Sequence, residues 1–301
     1  MRFYTFNADG QQHLGVEKSR SDELIHLHAI EPTIADNLLE FIRGGKEMYG
    51  LACQVLNANP ASHYRLAEVA LQAPLPRPGK ILCSGINYRS HQQENPNAVM
   101  PDEPFFFAKM PSAIIGPGAP ILHPPHSHQV DYEIEFAVVI GRPMTFTAEH
   151  EVMSRLFGYT ILHDVSCREV QFKSQQITLG KNFDSFCPTG PCVVTADELT
   201  NPDQVRLRTY LNGELMQDGS TADWIFTLPK LLSFLSHKMT LEPGDVVSTG
   251  TPAGVGLFRH PPRFLRPGDK VRLEADGIGA LENPVHRREI PAPTMFPLDK
   301  Q

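Results

Sequence analysis

Short apolar runs separated by Pro, Gly and Asn make up most of the chain, and stretches with a helical period are few. Phe3 to Phe6 and Glu23 to Ala29 predict strands. Pro32 to Asn57 turns helical and breaks at Gly44-Gly45. Ala73-Pro74-Leu75-Pro76-Arg77-Pro78-Gly79 predicts a stiff extended connector. A domain boundary is placed there, with a small N-terminal α+β domain over residues 1–72 and the main domain over 73–301. Lys80 to Cys83 and Phe105 to Ala108 then predict strands, and Asn87 to Glu94 a loop entering a short helix. Thr147 to Leu156 predicts a helix, Gly158 to Asp164 a strand, Ser166 to Lys173 a helix, and Gly180 to Asp184 a loop. Val205 to Leu211 alternates into Asn212-Gly213, a strong hairpin signal. Leu228, Leu231, Leu232 and Leu235 mark an amphipathic helix. Pro243-Gly244 and Pro267-Gly268 each predict a turn leading into a strand.

The densest chemistry lies on the run Val130 to Gly141. Phe136 to Ile140 is apolar on both faces, which predicts a buried strand. Asp131, Glu133 and Glu135 share one of those faces because strand side chains alternate. Carboxylates entering a buried strand must be hydrated, paired or protonated. Two of them at i and i+2 with no cation beside them suit a hard divalent ion bound through oxygen; a solvated strand end is the plain alternative. Asp164, at the end of the next strand, is either a third oxygen ligand or the cap of the following helix.

Other candidates are local pairs. His91 and Glu94 sit at i and i+3 on one helix, so the carboxylate can fix the imidazole tautomer and prepare a base. Arg168 and Gln171 share the same spacing and can grip a carboxylate. Lys181 follows Gly180, which allows close approach, and Lys109 ends an apolar strand. Thr249 to Gly256 offers backbone N–H groups and two hydroxyls as a nest for an anion, or is a plain Gly-rich turn.

Composition narrows the class. At 41% apolar and 20% charged, the 301 residues can bury a sizeable core and give no sign of disorder. Twenty-seven prolines between apolar runs favour strands and turns over a helical bundle. A net charge of −7 without a basic cluster argues against nucleic acid as a partner. No apolar run reaches the ~20 residues of a membrane helix, and no secretory pattern opens the chain. Five cysteines without a CxxC pair read as free thiols in a reducing compartment, so a cytoplasmic location is expected.

Taken together, several separated motifs resemble the fumarylacetoacetate hydrolase family. They are Gly85 to Glu94, Asp131 to Glu135 with Ala137 to Gly141, Gly158 to Ser166, Arg168 with Gln171, Gly180 to Asp184, and Thr249 to Gly256. Phe258 to Leu265 is most similar to the branch that includes the fumarylacetoacetate hydrolase domain-containing protein 2 type. The resemblance covers roughly residues 73 to 287. It implies an α+β, mainly β fold, a mixed β-roll or sandwich around a metal site, and a homodimer. It also implies Mg²⁺ or Mn²⁺, with Ca²⁺ as a further candidate, on Glu133, Glu135 and Asp164. His91 and Glu94 match a base dyad on a lid helix, and Lys181 an active-site lysine. Lys109, Arg168, Gln171 and Thr251 match positions that hold a small 2-keto acid. The implied activity is hydrolysis of a C–C bond in a 2,4-diketo acid (acylpyruvate or fumarylpyruvate type) through a metal-bound enolate. Oxaloacetate decarboxylation, keto–enol tautomerisation, and isomerase or hydratase action on catabolic 2-keto diacids are alternatives. An inactive metal-binding scaffold is the non-enzymatic one, and it predicts a missing site residue where none is missing. Cys167-Arg168-Glu169 and Asn182 depart from the family pattern and put the fine shape of the pocket in question.

Overall fold

The computed structural model describes residues 1–95, 99–173 and 176–289. Strand Ile134–Ile140 is buried at every position, as its apolar pattern predicts. Phe136, Val138 and Ile140 point into one hydrophobic cluster, while Ala137 and Val139 point into another. Leu156–His163 and Val246–Ser248 flank it, both antiparallel. Beyond Val246–Ser248 the sheet continues through Ile81–Ser84, parallel, and then Phe106–Lys109, antiparallel.

On the other side, Leu156–His163 pairs with Cys187–Thr195, which pairs with Arg2–Ala8. Gln11–Glu17, Glu23–His26 and Tyr64–Arg65 follow in order. Residues 1–72, set apart by the boundary placed at 72/73, extend the same sheet. Their apolar side chains have no core of their own, because Phe3, Leu14, Val16 and Ile25 bury against Ala137, Val139, Leu162 and Val193. Within this region the helical stretch does break where Gly44-Gly45 predicts, into Leu38–Arg43 and Gly45–Asn57. Asn37 caps the first of these by accepting the Glu40 N–H at 2.9 Å.

A second, five-stranded sheet runs in the order Glu214–Ser220, Arg206–Leu211, Lys270–Ala275, Gly279–Arg287, Ile121–His123. Asn212 and Gly213 both have positive φ (54° and 88°), so the first two strands form the predicted hairpin. Helix Leu228–Ser236 buries the four leucines that its pattern picks out. The expected α+β, mainly β architecture is what forms. All five cysteines are free, four of them buried. Among the described residues, no helix is long and apolar enough to cross a membrane.

Candidate active site

Four buried carboxylates set the chemistry. The run Val130 to Gly141 is not one continuous strand. Val130–Asp131 pairs with Ser166–Cys167 in a small separate ladder, and the main strand begins at Ile134. At that break the side chain of Gln217 substitutes for a neighbouring strand: its Oε1 accepts the Ile134 N–H at 3.0 Å and the Thr209 hydroxyl at 2.9 Å. Its Nε2 donates to Thr251 Oγ1 at 2.8 Å and to the Pro252 carbonyl at 2.9 Å. Gln217, fully buried, thus ties the segment carrying Glu133 and Glu135 to the loop carrying Thr251.

Glu133, Glu135 and Asp164 each bring a carboxylate oxygen to within 4.8 Å of the other two, and all three are buried. Lys181 Nζ donates to Glu133 Oε2 at 2.7 Å, Asp164 Oδ2 at 2.5 Å and Ser166 Oγ at 2.6 Å. Burial alone would lower its pKa, but Asp164 and Glu133 outweigh that and keep it an ammonium. Burial likewise works to raise Glu133, yet Arg168 and Lys181 hold it well below the usual carboxylate range. Glu135 goes the other way. Burial, then Asp164 and Glu133, push it well above its ordinary value, although Ser248 donates a hydrogen bond to it.

This donor set fits a hard divalent cation. It is all oxygen, three carboxylates deep, and no thiolate or imidazole belongs to the group. The charge count agrees. Asp131, Glu133, Glu135 and Asp164 are four acids and Lys109, Arg168 and Lys181 three cations, which leaves one negative charge uncompensated. Burial and the neighbouring carboxylates Asp164 and Glu133 together raise Glu135, and a bound cation would offset both.

Two residues sit differently from expectation. Lys109 ends beneath the site and does not line the cavity. Its ammonium is buried against Asp164 Oδ1 (2.5 Å) and the Lys181 carbonyl (2.6 Å), so it positions a carboxylate and is not placed to hold substrate. Arg168 faces the cavity but is already engaged. Its Nε and Nη2 hold Asp131 Oδ2 at 3.0 and 2.9 Å, Nη2 also reaches Glu133, and Nη1 donates to Gln171 Oε1 at 3.0 Å. Four of its five N–H donors are spent inside the protein, so the Arg168–Gln171 pair first grips its own neighbours.

The Thr249 to Gly256 loop does act as a nest, but for the protein's own acids. Gly254 N donates to Glu94 Oε1 at 2.7 Å, and Gly256 N and Leu257 N donate to Asp131 at 2.7 and 3.0 Å. Gly254 has φ +105°, and a Cβ there would lie 2.2 Å from the Met216 carbonyl oxygen, so only glycine fits. Glu94 in turn accepts or shares a proton with His91 Nδ1 at 2.8 Å through its other oxygen. The short helix Arg89–Glu94 that carries this dyad is held at its start by Asp223, which accepts the Ser90 N–H at 2.8 Å.

A cavity of about 230 Å³ opens among these groups. His91, Glu133, Glu135, Asp164, Arg168, Gln171, Lys181 and Thr251 line it, so eight of the ten sequence-predicted residues border one space. Glu94 stands behind His91, and Lys109 behind Asp164. Phe105, Phe107, Ile86 and Ile177 supply an apolar wall. The departures from the family pattern lie outside it. Glu169 accepts hydrogen bonds from Ser127 and His128, and Asn182 links Met110 and Ala108 to Thr178. Asp131, Ser166, Gln217 and Ser248 are the contributors that sequence reasoning assigned no role. Asp131 alone had a signal, the face it shares with Glu133.

The fold and this site define a family: the chain belongs to the fumarylacetoacetate hydrolase family, whose model, fumarylacetoacetate (FAA) hydrolase C-terminal, matches residues 80–286. It is a family of enzymes. Among its relatives, oxaloacetate tautomerase FAHD2B, mitochondrial, from Bos taurus is 40% identical over 289 residues, spanning 95% of this chain and 91% of that protein. Oxaloacetate tautomerase YisK from Bacillus subtilis (strain 168) is 41% identical over 263 residues, 84% of this chain and 87% of the other. Maleylpyruvate hydrolase from Sphingobium sp. SYK-6, solved with manganese(II) and pyruvate, superimposes with a TM-score of 0.79 at 29% identity, covering 96% of this chain and all of that one.

Proposed function

We propose that the protein interconverts the keto and enol forms of oxaloacetate. The observation that carries this reading is the His91–Glu94 dyad standing over the same small cavity as the carboxylate trio. With Nδ1 turned to Glu94, His91 Nε2 is the nitrogen left to take a proton from C3 of the keto acid. Glu94, fixed by the Gly254 N–H, holds that tautomer and stabilises the imidazolium that forms. The same proton then returns to the enolate oxygen, and no water is consumed. Lys181, kept an ammonium by Asp164 and Glu133, brings positive charge beside the developing oxyanion while its three N–H donors stay on Glu133, Asp164 and Ser166. Thr251 and Gln171 orient the C1 carboxylate, assisted by the Arg168 N–H that has no partner among the described residues. Glu133, Glu135 and Asp164 would hold Mg²⁺ or Mn²⁺, which when bound supplies Lewis-acid polarisation of the 2-keto oxygen. Two relatives named as oxaloacetate tautomerases support the choice of substrate.

A second reading is hydrolysis of a C–C bond in a 2,4-diketo acid, the activity first expected from the motifs. The likeness to a maleylpyruvate hydrolase supports it. In that case His91 deprotonates water instead of carbon. A homodimer belongs to both readings. The separating assay supplies purified protein and Mg²⁺ or Mn²⁺ with enol-oxaloacetate, acetylpyruvate and fumarylpyruvate. Tautomerase action predicts rapid loss of the enol absorbance with no pyruvate formed. Pyruvate released from the acylpyruvates, with the enol decay no faster than the uncatalysed rate, overturns it.

A further inference from the structure

Well outside the catalytic lining, His13, His26 and Asp36 arrive from three different segments. His13 lies in Gln11–Glu17 and His26 ends Glu23–His26, while Asp36 lies in the loop before Leu38–Arg43. The register pairs Gly15 with His26, which puts His13 two positions along on the same face. His13 Nδ1 is 2.9 Å from Asp36 Oδ2, and His26 Nε2 is 2.9 Å from Asp36 Oδ1. The imidazole rings are 4.4 Å apart between centroids. One donor atom from each residue falls within 4.8 Å of the other two.

We propose that His13, His26 and Asp36 form a second metal site, selective for a borderline divalent transition ion such as Zn²⁺. Two imidazoles and one carboxylate are a zinc-type donor set, softer than the all-oxygen trio, and one that Mg²⁺ and Ca²⁺ do not favour. Each ring turns toward the shared carboxylate the nitrogen that would ligate. Each of these nitrogens carries a proton when it donates to Asp36; on metal binding each neutral ring shifts that proton to its other nitrogen and ligates through the freed lone pair. The surroundings hold the ligands in place: Asp36 Oδ1 also accepts the Leu14 N–H at 2.8 Å. The histidine side chains are 12% and 9% exposed while Asp36 is 25% exposed, so an ion has an approach from the carboxylate side. His63, exposed, lies nearby with its ring centroid 6.3 Å from that of His26, and its Nδ1 accepts the His26 backbone N–H at 3.2 Å. Solvent completes the coordination. A bound ion would cross-link two strands to the loop that precedes the first helices, so its role is structural.

The test uses the full-length chain, stripped with chelator and then saturated with Mg²⁺ to occupy the carboxylate site. Calorimetric titration with Zn²⁺ is expected to show one further equivalent. That equivalent is lost in His26→Ala and in Asp36→Asn and kept in Glu133→Gln. Zn²⁺ is expected to raise the melting midpoint by several degrees in the wild type and not in His26→Ala. Equal stoichiometry in folded His13→Ala, His26→Ala and wild-type protein overturns the site. Should those variants not fold, anomalous diffraction at the zinc edge from zinc-soaked wild-type crystals decides. A peak between His13 and His26 supports the site, and its absence leaves only a metal-free hydrogen-bonded triad.

Discussion

At the scale of single residues, the catalytic reading makes sharp demands on His91 and on the acids. His91→Asn removes the proton acceptor and leaves the cavity intact, so kcat is expected to fall by about 10²–10⁴-fold with a small change in KM; steady-state assay of enol decay measures this. Glu133→Gln, or exhaustive treatment with a chelator, should abolish turnover, and added Mn²⁺ should restore the chelated wild type only. Gln217 is a subtler case. Gln217→Leu strips partners from the buried Ile134 N–H and from two hydroxyls, at a cost of about 1–3 kcal/mol for each buried group left unsatisfied. Denaturant unfolding should register that loss, and KM should rise because Thr251 loses its support. The histidine–aspartate cluster brings a pH dependence. Burial, outweighing Asp36, lowers His26 from 6.5, with the charges of His13 and His63 adding to the effect. Asp36 is also lowered, since the Leu14 N–H and His13 outweigh burial. In both cases the unfolded chain binds more protons, so stability drops as pH falls, first below about 6.5 through His26 and then below about 3.8 through Asp36. Metal-free protein should therefore melt lower at pH 5.5 than at pH 7.5 in scanning calorimetry, and His26→Gln should flatten that difference.

At the scale of elements, what could be read from the sequence was what local chemistry decides. Asn212-Gly213 set a hairpin because the turn needs two positive φ values, and Leu228 to Leu235 set a helix because one stripe had to be buried. Glu133, Glu135 and Asp164 were legible for a similar reason, as acids without local cations at the entrance or end of an apolar strand. Elements whose form depends on distant partners were not. The helix expected over Ser166 to Lys173 contracts to Arg168–Gln171 because Ser166 and Cys167 are claimed by Asp131 and Val130. The Gly180 loop instead forms the short helix Thr178–Lys181, pressed so close to Gln171 that a Cβ at Gly180 would lie 2.6 Å from the Gln171 nitrogen. Gly180→Ala should then push the two short helices apart, lowering kcat through a displaced Lys181 more than it lowers the melting midpoint. Nor could the spacing reveal that the guanidinium of Arg168 is committed to Asp131, 37 residues away.

At the scale of the whole molecule, strand pairing runs across the boundary drawn at 72/73. A proline-rich connector looks like a domain break from within its own few residues, but the pairing of Arg2 with Val194 crosses it and joins positions 192 residues apart. The family model begins only at residue 80, yet a chain starting there would bare the edge of Cys187–Thr195 and the apolar faces of Val193 and Leu162. Expression of residues 73–289 alone should yield aggregate in size-exclusion chromatography, where the full chain elutes in soluble form.

The single sheet also has a kinetic meaning. If the first hairpin and the strands bearing the acids rupture together, amide deuteration should label Phe3 and Val16 at the same slow rate as Tyr159 and Val138, as one foldon. The active centre would then borrow its rigidity from the far edge of the molecule, and loosening that edge would be felt in turnover without a single catalytic atom having been changed.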